Sequence, residues 1–162
     1  NPVNDEITVL PAPAAKLAFT TAPADFTVGS TSTANVQVQD IFGNLISADS
    51  STVVTILPSN SAYVASVLTG SGNVASGNTG EALDITVDGG VASFTLGDLV
   101  AETFTVTLSN NASLTDPAAE SVVANTADAS QVVLVTAGMD FTVGWSRIGL
   151  DSNISSRADV KL

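Results

Sequence analysis

The chain has 162 residues, a formal net charge of −12, no cysteine and no histidine. Its 16 acids against 4 bases leave no basic cluster to neutralise phosphates, which excludes nucleic acid and anionic membrane surfaces as partners. Without Cys or His there is no disulfide, no zinc-thiolate site and neither a Ser-His nor a Cys-His nucleophile pair.

This length suits one domain of ordinary size, or one domain and a fragment of a second. Hydrophobic residues make up 44%, yet aromatics only 5%. A core of alanine and β-branched residues is thin, of the kind that lies between two packed sheets. No window sustains the spacing of an amphipathic helix, and no apolar run is long enough to span a bilayer. Because it opens at Asn1 without methionine, the chain is expected to be a mature or excised segment.

In chain order, residues 5–10 alternate like a short strand and are stopped by Pro11-Ala12-Pro13, a stiff extended connector. Residues 16–20 open the domain proper. Pro23 interrupts them before Phe26-Thr27-Val28-Gly29, as at the edge of a sandwich. Residues 35–39 alternate strictly, with Val36 and Val38 on one face and Gln37 and Gln39 on the other. Asp40 and Gly43-Asn44 then turn the chain. Residues 52–57 and 63–68 are further strands. Residues 69–80, rich in Gly and Asn, are expected to be a surface loop with a weak strand around Val74. They lack the lysine and helix that a phosphate cradle needs. Residues 83–87, Asp88-Gly89-Gly90 and residues 91–96 form a hairpin signal, and residues 103–109 add another strand. The total of roughly seven to nine strands predicts an all-β, immunoglobulin-like β-sandwich with extra terminal strands.

The run from Lys16 to Asn44, with Leu17-Ala18-Phe19, Pro23, Gly29, Val36-Gln37-Val38-Gln39-Asp40 and Gly43-Asn44, resembles the bacterial immunoglobulin-like repeats of invasin and intimin-type surface proteins. Residues 89–96 are similar to the family's glycine, valine, alanine, small residue, phenylalanine strand, and residues 104–108 to the strand after it. The resemblance covers roughly residues 15–126 and implies a fold family more than a function.

An internal repeat extends this reading. Asp25-Phe26-Thr27-Val28-Gly29 recurs as Asp140-Phe141-Thr142-Val143-Gly144, and Pro2, Ala12, Ala14, Thr21 and Ala22 meet Pro117, Ala127, Ala129, Thr136 and Ala137 in the same register. Residues 1–14 therefore read as a terminal strand and linker, either the end of a preceding unit or a donor strand. Residues 15–126 are the sandwich, and residues 127–162 open a second unit or exchange strands with a neighbour. Thirty residues bury too little apolar surface to fold alone, so the expected partners are copies of the chain or adjacent repeats, joined by β-strand addition. Ile7, Val9, Val133, Val135, Phe141 and Trp145 are the expected interface residues.

Chemistry rests on carboxylates. Asp84 and Asp88 share a strand face, the minimum for a glycosidase, but serve a turn and a solvated face more simply; no enzymatic activity is expected. Calcium suits the hard oxygen ligands of Asp5, Glu6, Asp25, Asp116, Glu120, Asp128 and Asp140, which gather near the expected junctions; otherwise they solvate linkers. No other cofactor is expected. Trp145 is the one tryptophan, an interface anchor or a sugar-stacking platform. Asn111-Ala112-Ser113 and Asn153-Ile154-Ser155 match the glycosylation acceptor pattern. The expected function is a structural subunit or repeat of an extracellular prokaryotic filament, surface layer or adhesin stalk. The alternative is a carbohydrate-binding module of a secreted protein.

Overall fold

A computed structural model describes residues 9–74 and 78–128. It contains nine strands and no helix among the described residues: β1 (Ala14–Thr21), β2 (Phe26–Thr27), β3 (Thr31–Asp40), β4 (Val53–Pro58), β5 (Tyr63–Thr69), β6 (Leu83–Thr86), β7 (Val91–Gly97), β8 (Thr103–Asn110) and β9 (Glu120–Asn125). One sheet runs β1-β3-β7-β5 and the other β2-β9-β8-β4-β6. The fold is an immunoglobulin-like β-sandwich.

Period-two alternation builds it. Val36 and Val38 of β3, Phe94 and Leu96 of β7, Val54 and Ile56 of β4, and Phe104 and Val106 of β8 all point inward and are fully or almost fully buried. Each such side chain contributes roughly 1.5–3 kcal/mol on burial, so a layer of valines reinforced by a few phenylalanines holds the two sheets together. Phe26 of β2 meets Phe104 of β8 edge to face at 6.0 Å between ring centres, which ties the shortest strand to the core.

The chain changes sheet where local signals break the strand. Pro23 ends β1 in the first sheet, and β2 then joins the second sheet parallel to β9, with Phe26 opposite Ala124. At the opposite seam, residues 70–72 pass between the sheets: Ser71 exchanges backbone hydrogen bonds with Thr86 at 2.9 Å in both directions. A Cβ on Gly70 or Gly72 would approach the Thr86 or Asp84 carbonyl oxygen to 2.6 and 2.7 Å, so only glycine lets the backbone cover this edge.

Three sequence expectations need correction. Asp88 and Val91 do close a tight turn, with N–H to carbonyl distances of 2.9 and 3.1 Å. The strands either side nevertheless belong to different sheets, so the turn is a crossing between layers instead of a hairpin. The backbone of Gly90 explains the divergence: its N–H donates to the Asp49 carbonyl and its own carbonyl accepts from Val38, so neither group is free for β6. Val74 lies in no strand; it packs half-buried against the core. Val9 and Leu10 also lie outside any strand and are exposed. The rest of the first expected strand, residues 5–8, and the second unit from residue 129 onward fall outside the described residues.

Candidate functional site

The register places the two ends of the sandwich. Ala14 faces Asp40, and Gln37 faces Val91, at the pole where the chain comes in; Thr31 faces Gly97, and Tyr63 faces Gly97, at the other. β9 ends at this second pole, where Asn125 accepts from the Val28 N–H and Ala124 donates to the Glu102 carbonyl. The chain thus enters at a proximal pole and leaves at a distal one.

Asp40 organises the proximal pole. It follows Val36 and Val38 at the same parity, so its side chain is directed inward and is fully buried. Its Oδ1 accepts the N–H groups of Phe42 (2.9 Å) and Asn44 (2.8 Å), and its Oδ2 accepts the Asn44 amide (2.8 Å) and the Ala12 N–H (2.9 Å). Burial pushes this carboxyl upward, but the Asn44 side chain and the three backbone donors outweigh it and bring it down to about 2. The ionised group therefore pins both the incoming connector and the turn after β3. Gly43, at φ +92°, lets that turn close, and Ile41 and Phe42 project from its tip, 70% and 81% exposed.

Asp98 repeats the device at the distal pole. It follows Leu96 by two residues, is fully buried, and accepts the Val100 N–H at 2.8 Å and the Ser61 hydroxyl at 2.9 Å through Oδ1. Its Oδ2 has no hydrogen-bond partner. The Ser61 hydroxyl also lies 2.6 Å from Oε1 of Glu102, which in addition accepts the Ser61 N–H at 2.9 Å. The Ser61 hydroxyl and N–H hold the Glu102 carboxyl below its ordinary value, with burial opposing them. One hydroxyl proton is shared between two carboxylates here, because a serine has only one to give. Leu99 and Val100 form the exposed tip, at 72% and 50%.

The expected metal ligands do not converge. Asp25 accepts the Val123 N–H at 2.8 Å, Asp116 accepts the Asn110 amide at 2.6 Å, Glu120 is half-buried at the start of β9, and Asp128 is exposed. Among the described residues no three acids gather into a metal-binding group. Asp5, Glu6 and Asp140, and of the interface set Ile7, Val133, Val135, Phe141 and Trp145, lie outside the described residues; Val9 is exposed. Asp84 accepts the Thr55 hydroxyl, and Asp88 contributes its backbone to the turn, so neither is paired with the other by a hydrogen bond. Asn111 is exposed and its side-chain oxygen accepts the Val53 N–H at 2.9 Å.

No protein-family model matches the chain, and no curated protein matches it. Solved structures do. A beta-glucuronidase from glycoside hydrolase family 2 is similar over 73% of this chain and 12% of its own, at 16% identity and a TM-score of 0.55. A glycosyl hydrolase family 2 member from Bacteroides cellulosilyticus is similar over 71% of this chain and 15% of its own, at 15% identity and a TM-score of 0.52. The S-layer protein SbsC, domains 5-6, is similar over 76% of this chain and 48% of its own, at 17% identity and a TM-score of 0.44. The chain spans under a sixth of the two hydrolases, and at these identities the likeness shows the sandwich fold alone.

Inspection of the sequence alone overlooks Asp98, Glu102, Ser61 and the two apolar tips. A signal was present: each buried aspartate sits two residues after a buried core residue, and each is followed by two large apolar residues, Ile41-Phe42 and Leu99-Val100.

Proposed function

We propose that the chain is a structural, non-catalytic subunit or repeat of an extracellular prokaryotic surface assembly, linked end to end through its terminal segments. The observation that carries this reading is the placement of the chain's way in and way out at opposite poles, which lets identical units follow one another in a line. The repeated pentapeptide supports it. In the first copy Asp25 accepts the Val123 N–H, Phe26 enters the core, Val28 donates to Asn125 and Gly29 turns the chain at φ +82°. Together they fasten β2 to β9 in the second sheet after the chain has left β1, so the second copy, Asp140 to Gly144, reads by its sequence as the same position in a following unit. The resemblance to invasin and intimin-type repeats points to the same surface role, filament, layer or stalk.

The test is electron microscopy and light scattering of the full chain beside two truncations, one lacking residues 1–10 and one ending at Thr126. End-to-end particles from the full chain, and folded monomers from both truncations, are expected. Monomers from the full chain that bind glycans, with binding lost in Trp145→Ala, would replace this reading with a carbohydrate-binding module.

A further inference from the structure

We propose a cation site at the distal pole, formed by the carboxylates of Asp98 and Glu102 with the hydroxyl of Ser61, and calcium as the ion it takes. This goes beyond the structural role above and does not depend on it.

An ion is indicated by the bare oxygen of Asp98. The side chain is fully buried and its Oδ1 has two donors, the Val100 N–H and the Ser61 hydroxyl, whereas Oδ2 has none. A buried carboxylate oxygen without a donor carries its desolvation cost uncompensated. At Asp40, the buried aspartate of the other pole, both oxygens are satisfied by protein donors, so the bare oxygen is particular to Asp98.

The surroundings supply more oxygen instead of a donor. The Glu102 carboxyl stands within hydrogen-bonding reach of the Asp98 carboxyl. Ser61 Oγ lies 2.9 Å from Asp98 Oδ1 and 2.6 Å from Glu102 Oε1, with a single proton to give. Two carboxylates in contact repel unless a positive charge lies between them. Among the described residues no side chain brings one: Lys16 is the one base there, and it faces Gln39 beside the proximal pole. A proton joins only two of these oxygens, whereas a metal ion collects them all.

The spacing is that of one coordination shell. Ligands roughly 2.3–2.6 Å from a calcium ion stand about 3 Å from each other, as Ser61 Oγ does from its two neighbours. Every donor is a hard oxygen. Calcium accepts an irregular shell completed by water, while magnesium demands a near-ideal octahedron. Glu102 is half-buried, so the shell opens to solvent on its side and an ion has a way in. The Asp98 carbonyl accepts the Gly29 N–H and the Glu102 carbonyl the Ala124 N–H. An ion held by residues 98 and 102 therefore stiffens the turn after β2 and the end of β9, where the chain leaves the sandwich.

The experiment is a calcium chloride titration of the full chain at neutral pH, read by calorimetry and amide NMR, with Asp98→Asn, Glu102→Gln and a charge control, Asp84→Asn, at an exposed carboxylate of β6. The wild-type chain and Asp84→Asn are expected to bind calcium with a Kd on the order of 0.1–1 mM, to shift the Ser61 and Val100 amides and to gain in urea midpoint. Magnesium at the same concentrations should do none of this. Asp98→Asn and Glu102→Gln should lose affinity about tenfold or more. Without calcium, Asp98→Asn should be at least as stable as the wild-type chain, because its amide supplies the Glu102 carboxylate with a donor; a lost ion is thereby distinguished from a lost fold. No heat and no amide shift in the wild-type chain up to about 10 mM calcium overturns the site and leaves a shared proton in its place. Full affinity in both site variants overturns the choice of ligands, and an equal response to magnesium overturns the choice of ion.

Discussion

The backbone N–H of Ala12 donates to Oδ2 of Asp40 at 2.9 Å, joining the connector before β1 to the last residue of β3. Since β1 and β3 are already neighbours in the sheet, this bond fixes the direction in which the chain approaches the sandwich.

The fixing depends on ionisation. Asp40 is brought from its ordinary 3.8 down to about 2 in the folded chain, so its contribution is complete above the unfolded value and is lost as pH falls through the folded one. The urea midpoint should fall between pH 3.8 and about 2, and Asp40→Asn should flatten that part of the profile while lowering stability at neutral pH. Amide exchange at Ala12, Phe42 and Asn44 should quicken in the variant, because the acceptor of all three is weakened.

Two glycines separate backbone strain from collision. Gly29, at φ +82°, has nothing within 4 Å of where a Cβ would stand. Gly29→Ala should cost about 1–2 kcal/mol, the strain of a left-handed residue alone. Gly90, at φ +75°, would drive its Cβ into the Ile46 carbonyl oxygen and to 3.0 Å from Leu45 Cδ1. Gly90→Ala should cost about 3 kcal/mol or more, since backbone must move as well. Equilibrium urea unfolding of the two variants should preserve that order; equal losses would mean that the turn before β7 relaxes freely.

Ser61 mediates between Asp98 and Glu102. Ser61→Ala should destabilise the chain by about 1–3 kcal/mol, the cost of leaving the buried Asp98 carboxylate without its side-chain donor. The Glu102 titration followed by carbon NMR should move upward at the same time, because the hydroxyl is the foremost group holding it down. As the folded value lies below the ordinary 4.5, the stabilisation by Glu102 is present above that value and fades as pH falls.

The inward faces of β3, β7 and β8 were legible because Val36 and Val38, Phe94 and Leu96, and Phe104 and Val106 follow the two-residue period, although in β7 Ser93 and Gly97 are buried out of phase with it. The same period, carried one step further, would have put Asp40 and Asp98 inside. A charged residue at an apolar position is easily mistaken for the start of a solvated loop, and here the local turn donors reverse that expectation. Asp88-Gly89-Gly90 misled for another reason. A tight turn fixes the reversal of the chain but carries no information about which sheet each arm joins, and the partners that decided it, Asp49 and Val38, are distant in sequence.

The way the first and last strands lie has a mechanical meaning. β1 is bonded to β3 from Ala14 opposite Asp40 to Thr21 opposite Asn35, and β9 to β8 from Glu120 opposite Val106 to Val123 opposite Thr103. Antiparallel bonds run perpendicular to the strands, so traction between Ala12 and Asn125 pulls along both ladders and loads their rungs in shear, all together. To lengthen such a molecule, a force must slide a whole strand past its neighbour; it has no loose corner from which to peel the sheet one rung at a time.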